Sequence, residues 1–103
     1  MNFYSFRIGD MKVVQADAAS PKTVAVEIRL GFKAPERHTV ETIALTVHVP
    51  HDPDKTMSAA EQDAYRLAQT LLRTAADYCA SRDIKQLCDE TEKNRAFVID
   101  SSS

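Results

Sequence analysis

Four side chains close together, His48, His51, Asp52 and Asp54, form the one concentrated set of metal-binding groups in this chain. Imidazole nitrogens and carboxylate oxygens suit a divalent ion, and Pro50 and Pro53 stiffen the segment that would present them. The chemistry such a site supports is metal-dependent hydrolysis. The spacing matches no established ligand pattern, because His48 and His51 straddle the end of a strand instead of sharing a helix face. The competing reading is a polar exit loop in which Asp52 or Asp54 lies near the positive end of the helix that follows.

Other catalytic signatures are missing. Neither Cys79 nor Cys88 sits in a motif, no serine lies in a Gly-x-Ser-x-Gly elbow, and two glycines cannot build a phosphate-cradling loop. The expectation is therefore a protein that is not an enzyme and uses no cofactor, with the metal-dependent hydrolase as its rival.

The chain has 103 residues, 44% of them hydrophobic, which is enough for one core and too few for two ordinary domains. A single compact domain over residues 1–100 with a polar tail at 101–103 is expected. The net charge of −2 supplies no general attraction to phosphate backbones or anionic lipid. Charge is also unevenly spread. Residues 1–50 carry six basic and five acidic side chains, and the remainder carries seven and ten. The N-terminal residues do not read as a secretory signal, and no apolar run approaches the ~18 residues of a membrane span. These features predict a soluble, cytoplasmic protein. Cys79 and Cys88 would lie about 13 Å apart on one helix, beyond disulfide reach, and are expected to be buried thiols.

The elements are read from a change of hydrophobic period: alternation by two from Val24 to Val49, then helical spacing from Ala60 to Cys79. Gly9-Asp10 fits a two-residue hairpin turn that sets Ile8 opposite Met11 and Phe6 opposite Val13, with Tyr4, Phe6, Ile8, Met11 and Val13 facing the core. A second hairpin turns at Ala34-Pro35-Glu36-Arg37, pairing Lys33 with His38 and aligning Val24, Val26, Ile28 and Leu30 with Val47, Leu45, Ile43 and Glu41. The prolines at 50 and 53 then take the chain out of the sheet. Ser58 and Glu61 read as a capping box opening a helix over about 58 to 80.

That helix has an unusually wide apolar arc. Ala60, Ala64, Leu67, Leu71, Ala75 and Tyr78 form one stripe, and Tyr65, Ala68, Leu72, Ala76 and Cys79 an adjacent one. One stripe suffices to cover a sheet, so the second must meet either a short helix around Ile84, Leu87 and Cys88, broken off near Ser81-Arg82-Asp83, or another protein. Helicity is expected to fade at Asp89, Glu90 and Glu92, which oppose the macrodipole, and Ala96-Phe97-Val98-Ile99 reads as a strand. The fold class is thus α+β, an antiparallel sheet of four strands, or five with the last segment, in the order ββββα(α)(β). The candidate partner interface is Tyr65, Leu72, Ala76 and Phe97.

Nucleic-acid binding is disfavoured. RNA-binding sheets stack bases on exposed aromatics, and the outward face read here offers Ser5, Arg7, Lys12, Glu27, Arg29 and Thr42. Four strands followed by helices is similar to the layout of the SecB export chaperones, which work as oligomers and bind unfolded chains. The likeness is one of element order, and the chain lacks the proline-aromatic helix entry and the leucine-proline segment of that family. The expected function is a small non-catalytic protein–protein interaction module, an adaptor, chaperone-like or inhibitor protein, working as a homodimer with no membrane partner.

Overall fold

A computed structural model describes the backbone of residues 1–102 and the side chains of residues 1–95. The architecture is α+β, with an antiparallel sheet of three strands, β1 (Asn2–Val14), β2 (Thr23–Ala34) and β3 (Thr39–Pro50), followed by helices α1 (Met57–Cys79) and α2 (Ile84–Ser102). The chain divides into two compact units, Met1–Leu71 and Leu72–Ser103.

In the first unit the sheet order is β1-β2-β3. The expected hairpin at Gly9-Asp10 does not form; β1 runs straight through it. A two-residue turn led by glycine needs a positive φ there, and Gly9 has none. Ile8 instead faces Ile28 and Met11 faces Val26, so Gly9 and Asp10 together oppose one residue in a β-bulge. The bulge keeps Phe6, Ile8, Met11 and Val13 on one face, as the hairpin would have done. A second irregularity between Phe3 and Ser5 moves Tyr4 off that face, and its ring lies 5.0 Å from the Lys33 ammonium. The sheet therefore has three strands, and the four-strand order that suggested a SecB-like layout is not present.

The β2–β3 hairpin forms in a register two residues away from the expected one. Ala34 pairs with Thr39, and Val24, Val26, Ile28 and Leu30 face Val49, Val47, Leu45 and Ile43. The shift arises because the turn is Pro35–Arg37 as a single 3-10 turn closed by His38 in the left-handed region at φ 55°, whose N–H donates to the Pro35 carbonyl. A shift of two preserves the face of every side chain. β3 also keeps Pro50 as its last residue, opposite Thr23, at the outer edge where a missing N–H costs no ladder bond.

Thr56, not Ser58, caps α1: its hydroxyl accepts from the Ala59 N–H at 3.1 Å. Ala64 and Ala68 then complete the core with Val26, Ile28, Val47 and Val49, while Ile8, Met11, Val24 and Leu45 surround it half-buried. Alanine at both helix positions lets the backbone of α1 approach the sheet closely.

The second unit holds the last turns of α1 and the whole of α2. Arg82 closes α1 by donating to the Tyr78 carbonyl at 2.7 Å with its guanidinium stacked 3.7 Å over the Tyr78 ring. Asp83 and Gln86 cap α2 reciprocally, each side chain accepting from the other's backbone N–H at 2.8 Å. The helix does not fade at its acidic stretch. Lys85 pairs with Asp89, Arg82 with Glu90 and Arg95 with Glu92, which offsets the adverse macrodipole. Ala96 to Ile99 accordingly continue α2 as helix, not strand, and the helix runs on to Ser102.

No described side chain of this unit is buried, and Ile84 is 80% exposed. Both cysteines are free and exposed, not buried. Ile84, Leu87 and Cys88 thus do not cover the Ala76 and Cys79 stripe, which stays exposed.

Ile28 has no solvent exposure at the centre of the first unit. Ile28→Ala is expected to cost about 2–5 kcal/mol in urea unfolding, while Ile43→Ala, at a partly open site, costs less.

Candidate partner-binding surface

The helix-side face of the sheet is only partly covered. The alanines of α1 seal the end formed by Val26, Val47 and Val49. Towards the Pro35 turn, the cross-strand rows Phe6, Leu30, Ile43 and Phe3, Phe32, Glu41 continue the same face with much of it open. Phe3 is 63% exposed and Phe6 42%, high for rings of this size.

Aromatic contacts organise this region. Phe3 meets Phe32 edge-on with centroids 5.9 Å apart, and Phe6 meets Tyr65 edge-on at 5.6 Å. Between sheet and helix lies an open hollow of about 370 Å³. Phe3, Phe6, Ile8 and Leu30 line it from the strands, and Tyr65, Glu61 and Gln62 line it from α1. An apolar floor with a few polar groups at the helix side is the usual composition of a binding cleft.

Sequence reasoning found one member of this surface, Tyr65, which is 41% exposed. The sequence places Phe6 and Ile8 in the core; Ile8 does pack against it while also lining the hollow, whereas Phe6 is 42% exposed. The signal available was the pair Ala64 and Ala68, whose small side chains cover little of the sheet beneath them. Leu72 and Ala76, the other interface candidates on α1, belong to the second unit, where Leu72 is half-buried and Ala76 exposed. Phe97 lies in α2, and its side chain falls outside the described residues.

The metal candidates are not drawn together. Among the described residues, no three His, Cys, Asp or Glu side chains are grouped as metal ligands would be. His48 points to the face away from the helix, opposite Ala25. The Asp52 carboxylate accepts from the Asp54 N–H at 2.9 Å and the Asp52 carbonyl from the Lys55 N–H at 3.1 Å, so Asp52 shapes a turn. Asp17 does the same in the β1–β2 loop. Its carboxylate accepts from the Ser20 hydroxyl and from the N–H groups of Ala19 and Ser20, which holds its pKa below the ordinary carboxylate value.

The other sheet face carries Arg7, Lys12, Glu27 and Arg29. Glu27 accepts from Arg29 at 2.6 Å, which breaks up the basic patch that three cations would otherwise make. Tyr4 lies on this face too, a position the sequence reading gave to the core. Lys55 bonds to Asp63 across the start of α1. That hydrogen bond lowers the Asp63 pKa and raises that of Lys55.

No helix among the described residues is long and apolar enough to cross a membrane. The chain matches no protein-family model, no curated protein and no solved structure.

The Lys55–Asp63 pair gives a pH signature with a defined sign. Asp63 has a depressed folded pKa, so its contribution is present above the unfolded value and is lost as pH falls through the folded one; the raised Lys55 value loses its share only in strong alkali. Asp63→Asn is expected to lower Tm at pH 7, with the gap from wild type closing as pH falls below about 4. A gap that persists at pH 2 would mean that the pair is not its source.

Proposed function

We propose that the protein is a small non-catalytic interaction module, working as a homodimer, that holds an apolar segment of another polypeptide in the hollow between β1, β2 and α1. The observation that carries this reading is the set of exposed rings Phe3, Phe6 and Tyr65 around an apolar hollow of about 370 Å³. Rings held on a strand and a helix supply contact area with few torsions left to freeze, and aromatic residues dominate interface hot spots. Apolar anchoring of this kind suits an adaptor, chaperone-like or inhibitor role, since it recognises exposed hydrophobic side chains without a fixed hydrogen-bond pattern. Glu61 and Gln62 give the hollow a polar side towards the helix, a place for the backbone of a bound segment to find donors and acceptors.

The test is binding of a reduced, carboxymethylated polypeptide that cannot fold, followed by fluorescence anisotropy. Phe6→Ala and Tyr65→Ala are each expected to weaken binding roughly ten-fold, the effect of removing an interface anchor. Arg29→Ala, on the opposite face, leaves it unchanged. Equal affinity in all variants would place the binding surface elsewhere, and no binding by wild type would remove this reading.

A further inference from the structure

Among the described residues, neither outer edge of the sheet in the first unit pairs with a further strand, since β2 is the strand with a neighbour on each side. An open edge presents unpaired N–H and C=O groups and is a template for another strand. β1 is 13 residues long and none of its side chains is buried. We propose that β1 is the edge through which two copies of the chain pair, antiparallel about a two-fold axis, with Arg7 opposite Asp10 and Phe6 opposite Met11 of the second copy. This deepens the reading of the protein as a homodimer and rests on it.

The register follows from faces and charge. Residues directly opposed across antiparallel strands share a face. Phe6, Ile8, Met11 and Val13 lie on the helix side with Leu30, Ile28, Val26 and Val24. Ser5, Arg7 and Lys12 lie on the other, with Asp10 beside Arg7, Lys12 and Glu27 there. Because the bulge at Gly9 and Asp10 shifts the alternation by one, a two-fold pairing matches faces over residues 5–12, where Gly9 has no side chain to place, only if odd-numbered residues oppose even-numbered ones. One such register sets Arg7 against Lys12 and repels twice by symmetry. The register proposed here sets Arg7 against Asp10, attracts twice by symmetry, and joins Phe6 to Met11 on the apolar face. Arg7, Asp10 and Lys12 take part in no ion pair among the described residues, so their charges are free to be matched by a second copy.

The opposite edge lacks this complementarity. β3 carries Glu41 as its one carboxylate and no Lys or Arg, and Glu41 is already engaged by Arg37 and Thr39. Its last residue, Pro50, has no N–H to donate.

The experiment is a charge swap read by light scattering over a concentration series, with circular dichroism confirming that each variant is folded. Wild type is expected to be a dimer. Arg7→Asp and Asp10→Arg each replace two attractive pairs by two repulsive ones and should raise the dimer Kd about ten-fold or more. The double variant Arg7→Asp/Asp10→Arg restores the wild-type Kd, and an equimolar mixture of the single variants forms a heterodimer. A wild-type monomer at every concentration overturns the proposal. So does a dimer whose Kd is the same in all variants, which would keep the homodimer and move its interface, and so does a loss that the double variant fails to repair. Binding of the unfolded polypeptide is read separately through Tyr65 on α1, which the β1 pairing does not use, so failure at the hollow and failure at the edge are told apart.

Discussion

The first unit depends on the burial of Val26 and Ile28 in the central strand. These are its largest fully buried side chains, enclosed by Val47 and Val49 on one side, Ile8 and Met11 on the other, and Ala64 and Ala68 above. A three-stranded sheet has little apolar area to lose from water, so close contact with the helix matters more than it would in a larger domain. The two alanines permit that contact. They also leave the rest of the face unfilled, because a methyl group reaches no further than the strand beneath it. The open rings at Phe3 and Phe6 are the geometric consequence of how the core is closed.

β1 joins the two functional proposals. Its helix-side face carries the aromatic lining of the hollow, and its free edge carries the alternating charges Arg7, Asp10 and Lys12. The bulge at Gly9-Asp10 bears on both. It returns Met11 and Val13 to the apolar face after a break in alternation, and it sets Asp10 beside Arg7 and Lys12 on the polar one. Pairing of two β1 edges leaves the hollow accessible, since strand addition uses main-chain groups in the plane of the sheet while the hollow lies above it.

Apart from Tyr4, which the irregularity between Phe3 and Ser5 turns over, side-chain faces of the sheet were legible in the sequence and chain direction was not. The set Phe6, Ile8, Met11, Val13 shares a face whether Gly9-Asp10 is a hairpin turn or a bulge, because both preserve the alternation on either side; the two differ in the sign of one φ angle. The β2–β3 register slipped for a related reason. A shift of two residues keeps every face, and the left-handed His38 that decides it leaves no mark on hydrophobic pattern. At the C-terminus, Ala96-Phe97-Val98-Ile99 has strand-like composition, yet ion pairs one turn apart and the Asp83–Gln86 cap carry α2 through it. The division of the α1 apolar arc into two stripes does not match the contact: α1 meets the sheet through Ala64 and Ala68, one from each stripe, while Leu67 and Leu71 of the first stripe stay exposed. Of the residues now placed at the hollow, Tyr65 was visible from helical phase, whereas Phe3, Phe6 and Leu30 depend on where α1 crosses the sheet.

Hydroxyl-radical footprinting of the aromatic rings, with and without an unfolded polypeptide, tests the central claim most directly. Phe3, Phe6 and Tyr65 should be labelled in the free protein and protected in the complex, while Tyr4, on the opposite face under Lys33, is labelled equally in both. Unchanged labelling of all three rings at saturating polypeptide, or protection confined to Tyr4, would contradict the assignment of this hollow as the binding surface.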